Sequence, residues 1–280
     1  MNVVFLICGF IAIAFVLFIS IYLIVSGIPA IREIGLVDFL FGTEWASTAA
    51  EPKFGILPFI LTSVWGMLGA SLLGVPVGLM CAVYLSKVAS KRAAGIVRPA
   101  VELLSGIPSV VYGLVGMMVL VPAVMDVFNL KNGTCLLAAI LVLAVMILPS
   151  IISVSETALL AVPPEYEEAS LALGASKMET VFKVSIPAAK SGIAAGIVLG
   201  IGRAVGEAMA VMMVAGNVAN MPGLFQSVTF LTTAIAKEMS YAGGLQRQAL
   251  FSIALVLFVF IMVINALLNF FLKGGKKDDK

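Results

Sequence analysis

The stretch PPEYEEASLALGASKMETVFKVSIPAAK, residues 163–190, is a polar segment between two long apolar runs. Pro163 and Pro164 suit the start of a helix, where missing amide hydrogens cost no hydrogen bonds. The glutamates that follow place negative charge in the first turns, where the helix dipole favours it. Gly174 can adopt the left-handed conformation that ends a helix. The first half of the segment therefore predicts one short helix that stops at Gly174.

The second half of the segment predicts another short helix. Ser176 and Glu179 have the spacing of a capping box, which opens a helix, and Pro187 ends it. Apolar side chains on these two helices would suit a groove on a partner protein; they are Leu171, Leu173, Met178, Val181 and Phe182. The alternative is an ordinary amphipathic loop that lies at the lipid headgroups. We refer to residues 163–190 as the 163–190 loop.

The composition of the whole chain is that of an integral membrane protein. Of 280 residues, 61% are hydrophobic and only 11% are charged. A soluble domain carries about 25% charged residues. The net charge of +2 is too balanced to indicate nucleic-acid binding.

Apolar runs of about 20 residues are long enough to cross the hydrocarbon core as helices. The predicted spans are 3–28, 58–86, 99–125, 135–162, 191–215 and 249–272. The segment SGIPS (105–109) breaks the third span, and Pro149 is expected to kink the fourth. We interpret residues 1–280 as a single all-α transmembrane domain of about six helices.

Basic residues predict how this domain is oriented in the membrane. Because the number of spans is even, both termini lie on one side, together with the loops around residues 87–98 and 163–190. That side carries eleven of the seventeen Lys and Arg residues, namely Lys87, Lys91, Arg92, Arg98, Lys177, Lys183, Lys190, Lys273, Lys276, Lys277 and Lys280. Basic residues favour the cytoplasm, so both termini and the 163–190 loop are predicted to be cytoplasmic.

The fifth span contains two charged residues, Arg203 and Glu207, within IGRAVGEAMAV (201–211). On a continuous helix, residues four apart share one face and can pair, which lowers the cost of both charges. A guanidinium also matches the oxygens of a phosphate, so the pair can serve a translocation pathway or its gate. The alternative is a structural pair that locks this span to a neighbouring subunit.

Glycines recur every four residues around this pair, at Gly192, Gly196 and Gly200 and again at Gly202 and Gly206. Rows of small residues let helix backbones approach closely. We expect helix packing at these positions, either at a subunit interface or within the chain.

Several classes of enzyme and metal site are excluded by composition. The chain has no histidine, which removes Ser-His and Cys-His catalysis and histidine metal ligation. Its three cysteines, Cys8, Cys81 and Cys135, show no metal-ligand spacing. We therefore predict no catalytic residue, no cofactor and no metal site in this chain.

The 163–190 loop resembles the EAA loop of ABC-importer permeases. That family's pattern is Glu-Ala-Ala, three residues, Gly, nine residues and Ile-x-Leu-Pro, and the matching positions here are Glu168, Ala169, Gly174 and Pro187. The sequence departs from the pattern at Ser170, Val184 and Ile186, while the spacing is kept. The resemblance implies a type I ABC-importer permease fold, in which this loop is a coupling helix that docks into a cytoplasmic ATPase. The chain has no G-x-x-x-x-G-K-[ST] loop, so ATP hydrolysis is expected in the partner subunit.

Further stretches resemble the permeases of phosphate-specific importers, in particular the PstC type. They are FGTEW (41–45), KFGILPFI (53–60), ELLSGIPSVVYGL (102–114) and GRAVGEAMAVMMVAGN (202–217). The family usually has Thr where this sequence has Ala208, so one hydroxyl is missing. The resemblance implies a multi-pass permease of a prokaryotic inner membrane that moves inorganic phosphate. The implied partners are a homologous PstA-like permease, a PstB-like ATPase dimer and an extracytoplasmic PstS-like phosphate-binding protein.

Two other transport functions stay open at this point. One is an ABC-importer permease for another oxyanion, such as molybdate or sulfate. The other is an ion-coupled secondary carrier with Glu207 as a proton site, although such a carrier needs no docking loop.

Overall fold

Helices make up nearly all of the regular structure. The computed structural model describes the backbone of residues 2–274 and the side chains of residues 4–267. Lys276, Lys277 and Lys280, which contribute to the predicted orientation, lie outside the described residues.

Fourteen α-helices and one two-stranded antiparallel hairpin form the described part of the chain. The helices are α1 (Asn2–Ile34), α2 (Leu36–Phe41), α3 (Leu57–Val83), α4 (Lys91–Gly106), α5 (Ser109–Val115), α6 (Val121–Phe128), α7 (Leu136–Leu160), α8 (Pro164–Ala172), α9 (Lys177–Thr180), α10 (Ile186–Ala188), α11 (Lys190–Gly206), α12 (Met209–Val214), α13 (Leu231–Glu238) and α14 (Gly244–Gly274). Three π-helical turns occur at Tyr84–Val88, Gly116–Leu120 and Val181–Ser185. The strands are β1 (Trp45–Ala46) and β2 (Lys53–Phe54), with Trp45 opposite Phe54.

Five helical stretches of the described chain are each long and apolar enough to cross a membrane. They are Val4–Ile34, Leu57–Val88, Ser109–Phe128, Leu136–Leu160 and Gly244–Leu267. The segment before α11 meets that helix at a bend of 72°, and this bent pair would be a sixth crossing. The fold is therefore all-α and multi-pass, as the composition predicts.

The third predicted span, 99–125, is wrong at its start. Residues up to Gly106 belong to α4, a separate helix that begins at Lys91, and the long apolar stretch starts at Ser109. Ile107 is extended, with φ −69° and ψ 128°. The residue before a proline avoids the α conformation, so Pro108 separates the two helices.

The core of the molecule is α7, which packs between α3 and α11. On the α3 side, a Cβ added to Gly69 or Gly74 would lie 2.6 Å from the δ-carbon of Ile140 or Ile147. Close packing of small residues against large ones drives helix association where lipid replaces water. This arrangement holds three spans together with little polar contact.

A second packing unit joins the ends of the chain. α1 lies along α14, where the Ser252 hydroxyl donates to the Gly27 carbonyl at 2.5 Å. Beyond them, the hairpin is joined to the end of α13, because Trp45 Nε1 and Ser47 Oγ donate to the two carboxylate oxygens of Glu238 at 3.1 and 3.0 Å.

The segment before α13 enters the helix bundle and is buried there. Thr229, Phe230 and Leu231 are buried, and the Leu231 amide donates to Ser63 Oγ of α3 at 3.0 Å. A Cβ on Gly66 would lie 2.3 Å from the Phe230 ring. The residues directly before α13 therefore pack inside the bundle, whereas Val218, Met221, Leu224 and Phe225 earlier in the same connection are exposed.

Candidate functional site

The fifth predicted span, 191–215, is not one helix, because it breaks at Glu207. α11 ends at Gly206, Glu207 is extended with φ −74° and ψ 127°, and α12 starts at Met209. The expectation that Arg203 and Glu207 share one helix face is therefore wrong. No ion pair joins them among the residues that the structure describes.

Glu207, at the break between α11 and α12, instead accepts hydrogen bonds from α12 and from α13. Its carboxylate Oε1 accepts a hydrogen bond from the Ala210 amide at 2.9 Å, which caps the first turn of α12. Its backbone carbonyl accepts from the Thr232 hydroxyl of α13 at 2.8 Å. A single residue thus positions α12 and connects the break to the segment buried in the bundle.

Arg203 lies on the last turn of α11, half-buried, at one wall of a groove between three helices. The groove has a volume of about 420 Å³, and its other walls include Ser150 of α7 and Asn265 of α14. No carboxylate of the described residues forms an ion pair with the Arg203 guanidinium.

A larger cavity, of about 550 Å³, lies near the hairpin and is lined by Glu33, Asp38 and the ion pair of Glu44 with Lys53. It contains none of the predicted site residues.

The glycines near Arg203 divide into two groups. Cβ atoms added to Gly192 and Gly200 would lie 2.3 Å from the Ala158 Cβ and 2.9 Å from the Ile151 side chain, and one on Gly196 would lie 3.2 Å from Ser155 Oγ. These three glycines therefore pack against α7 of the same chain. Cβ atoms on Gly202 and Gly206 would meet no atom within 4 Å, so Gly206 makes no packing contact of this kind.

The 163–190 loop forms α8 and, after Gly174, a second helical stretch, Lys177–Ala188, that comprises α9, a π-helical turn and α10. Pro187, expected to end the second helix, lies inside α10. α8 ends in a Schellman motif, in which the Ala175 amide donates to the Ser170 carbonyl and the Gly174 amide to the Leu171 carbonyl, at 3.2 and 3.0 Å. Gly174 has φ +88°, the left-handed conformation that glycine adopts without steric cost.

The second helix of the loop starts at the predicted capping box. Ser176 Oγ accepts from the Glu179 amide, and the Glu179 carboxylate accepts from the Ser176 amide. Hydrogen bonds from Ser176, followed by the nearby Lys183 charge, hold the pKa of Glu179 below its usual range. Glu168, Ala169, Gly174 and Pro187 are all exposed at the surface of the loop.

Two ion pairs near the loop could not be predicted from the sequence. Arg98 Nε of α4 donates to Glu156 Oε1 of α7 at 2.5 Å, and Lys87 Nζ donates to Glu167 Oε1 of α8 at 2.5 Å. The partners are 58 and 80 residues apart in the chain, and no local pattern joins them.

Comparison with known proteins assigns the chain to a family. The binding-protein-dependent transport system inner membrane component family matches residues 74–274. The chain belongs to this family. It is a permease component of an ABC importer, a multi-pass protein of the inner membrane, and such permeases work with ATPase subunits and a binding protein.

Two relatives align with most of this chain and over most of their own length. The probable ABC transporter permease protein YqgH of Bacillus subtilis is 38% identical over 93% of this chain and 87% of its own. The phosphate transport system permease protein PstC of Pasteurella multocida is 34% identical over 81% of this chain and 77% of its own.

A solved structure shares the fold of the permease component. Inward-facing MetNI, a methionine ABC transporter, aligns over 79% of this chain and 94% of its own with a TM-score of 0.58 and 22% identity. At that identity the similarity concerns the fold alone, and it supports the type I importer architecture.

Proposed function

We propose that this chain is the channel-forming permease subunit of an ATP-driven importer of inorganic phosphate. Its partners would be a PstA-like permease, a PstB-like ATPase dimer and a PstS-like phosphate-binding protein. The observation that carries the proposal is the position of Arg203, half-buried beside a groove between spans and without an ion-pair partner among the described residues. The name of the Pasteurella multocida relative supports phosphate as the substrate.

An unneutralised guanidinium inside a membrane protein suits transient contact with an oxyanion. Its planar donors match phosphate oxygens in a bidentate arrangement. A charge at the bilayer centre costs about 2.5–3.5 kcal/mol on insertion scales, so it is retained where it serves a pathway. Because Glu207 caps α12, its carboxylate leaves the guanidinium available to the substrate.

The coupling step is assigned to the exposed surface of the 163–190 loop. Glu168, Ala169, Gly174 and Pro187 would contact the ATPase, together with the exposed apolar side chains of Leu171, Leu173, Met178 and Phe182. Nucleotide-driven closure of the ATPases would then move this loop and switch the spans between outward- and inward-facing states.

Uptake of labelled phosphate tests the proposal directly. The chain and its three partners are reconstituted in liposomes, and uptake is measured with ATP inside and binding protein outside. We expect ATP-dependent phosphate uptake that excess sulfate or molybdate leaves unchanged. Competition by molybdate or sulfate would instead assign the permease to another oxyanion, and uptake without ATP would favour a secondary carrier.

A further inference from the structure

Glu167 is the point at which the 163–190 loop is tied to the second span. Lys87 lies in the π-helical turn that follows α3, and its Nζ donates to Glu167 Oε1 of α8 at 2.5 Å. The Ser185 hydroxyl, in the π-helical turn that follows α9, donates to the same oxygen at 2.9 Å. One carboxylate thus joins three separate segments.

This contact is partly shielded from water. The Lys87 side chain is 12% exposed and that of Glu167 is 28% exposed. Burial raises the pKa of Glu167. The hydrogen bonds from Lys87 and Ser185 together lower it by more than burial raises it, so the pKa of this carboxyl lies below its usual range. The carboxylate is therefore ionised at neutral pH, and the pair is lost only as the pH falls through this lowered value.

The ion pair matters because α8 has little other attachment to the spans. None of the described residues of α8 is buried, and Ser170 bonds to Thr180 within the loop itself, at 2.9 Å. By contrast, the neighbouring Glu168 is exposed, and it is one of the positions predicted to contact the ATPase. The two adjacent glutamates thus differ in their surroundings, since Glu167 bonds to Lys87 and Ser185.

We propose that the Lys87–Glu167 pair, supported by Ser185, is the link that transmits movement of α8 to the cytoplasmic end of α3. This inference rests on the proposed docking of the 163–190 loop to an ATPase. Both Lys87 and Ser185 lie in π-helical turns, which occur frequently at functional sites where a helix changes its path. Movement of α8 would therefore displace the end of α3 at its π-helical turn, Tyr84–Val88.

The test measures transport and ATP hydrolysis separately in the reconstituted four-component importer. Glu167→Gln and Lys87→Met each remove the ion pair while keeping the side-chain length. We expect ATP hydrolysis to continue and the phosphate moved per ATP to fall by about fivefold to tenfold, which is the lower end of the range of typical coupling energies. Ser185→Ala, which removes one of the two donors, should cause a smaller loss.

The charge-swapped variant Lys87→Glu with Glu167→Lys tests whether the ion pair itself couples α8 to α3 or whether the single variants only destabilise the fold. It restores the ion pair with the two charges exchanged. We therefore expect the phosphate moved per ATP to return most of the way to the wild-type value. The matched control is the exposed pair of Glu44 and Lys53 near the hairpin, tested as Glu44→Gln and Lys53→Met. These changes should leave the ratio at the wild-type value.

Two outcomes are separable. A wild-type ratio of transport to hydrolysis in Glu167→Gln, Lys87→Met and Ser185→Ala would overturn the proposed link and leave the proposed function intact. A wild-type importer that hydrolyses no ATP in response to binding protein, or moves no phosphate, would overturn the proposed function and the link with it.

Discussion

At the scale of single residues, Arg203 differs from the paired charges at the ends of the spans and in the 163–190 loop. Glu156 is paired with Arg98 and Glu167 with Lys87, whereas no acidic residue of the described chain forms an ion pair with Arg203. An uncompensated charge inside a membrane protein is costly, and such residues mark substrate pathways. The missing partner is supplied, in our proposal, by the substrate anion.

Arg203→Gln should therefore lower phosphate uptake by about 30-fold or more, since a desolvated charge-assisted contact is worth about 2 kcal/mol or more. Arg203→Lys keeps the charge without the planar fork and should retain an intermediate rate. Uptake is measured in liposomes, and assembly is checked by co-purification of all subunits. Near-normal uptake by an assembled Arg203→Gln complex would refute the pathway role.

Glu207 should respond as a helix cap. In Glu207→Gln the side-chain oxygen can still accept from the Ala210 amide, whereas in Glu207→Ala that amide loses its partner. We expect Glu207→Ala to be destabilised by about 1 kcal/mol relative to Glu207→Gln, the typical value of a capping residue. Thermal unfolding of the purified complex gives the comparison, and equal midpoints would argue against capping.

At the scale of elements, the position of α7 between α3 and α11 explains the glycine rows. Gly74 and Gly78 of α3 pack against Ile147 and Ile151, and Gly200 of α11 meets the same two isoleucines from the other side. Each crossing is close because one helix has no side chain at the contact. The three helices therefore form a unit that should move as one body.

Gly192→Ala should loosen this unit. Its new Cβ would lie 2.3 Å from the Ala158 Cβ, so α11 and α7 must separate, at a cost of about 1–3 kcal/mol for overpacking. The matched control is Gly95→Ala in α4, where a Cβ meets no atom within 4 Å. Thermal stability of the two variants provides the measurement, and a Gly192→Ala complex as stable as the control would contradict this packing.

At the scale of the whole molecule, the polar attachments concentrate at its two ends. Glu238 receives Trp45, Ser47 and Gln246 at one end, and the ion pairs of Glu156 and Glu167 lie at the other. The middle is held by apolar packing together with the hydrogen bonds of Leu231 to Ser63 and of Thr232 to Glu207. This distribution suits a permease whose ends bind soluble partners.

Docking of the ATPase should depend on the exposed tip of the 163–190 loop. Leu173 is 90% exposed, so Leu173→Asp removes no contact within the chain but places a charge on the docking surface. We expect co-purification of the ATPase subunits to be lost while the two permeases stay together. Thr48→Asp, an exposed position in the hairpin turn, is the control, and retention of the ATPase by Leu173→Asp would exclude this docking surface.

Local patterns explain how far the fold could be predicted from the sequence. The turn at Gly174 and the capping box at Ser176 were predictable because each depends on a few adjacent residues. The break at Glu207 was not, because the segment is apolar on both sides and nothing local interrupts helix formation except Gly206. The Thr232 hydroxyl that holds the broken backbone comes from another element.

The sequence by itself determined a multi-pass helical permease with a two-helix loop, since composition, apolar length and capping motifs act over short distances. Only the tertiary structure decided that Glu207 caps a helix rather than pairing with Arg203. It also decided that Gly192, Gly196 and Gly200 pack within the chain, and that Lys87 holds Glu167. These contacts join residues up to 80 positions apart, and their partners are set by how helices pack, which no local pattern records.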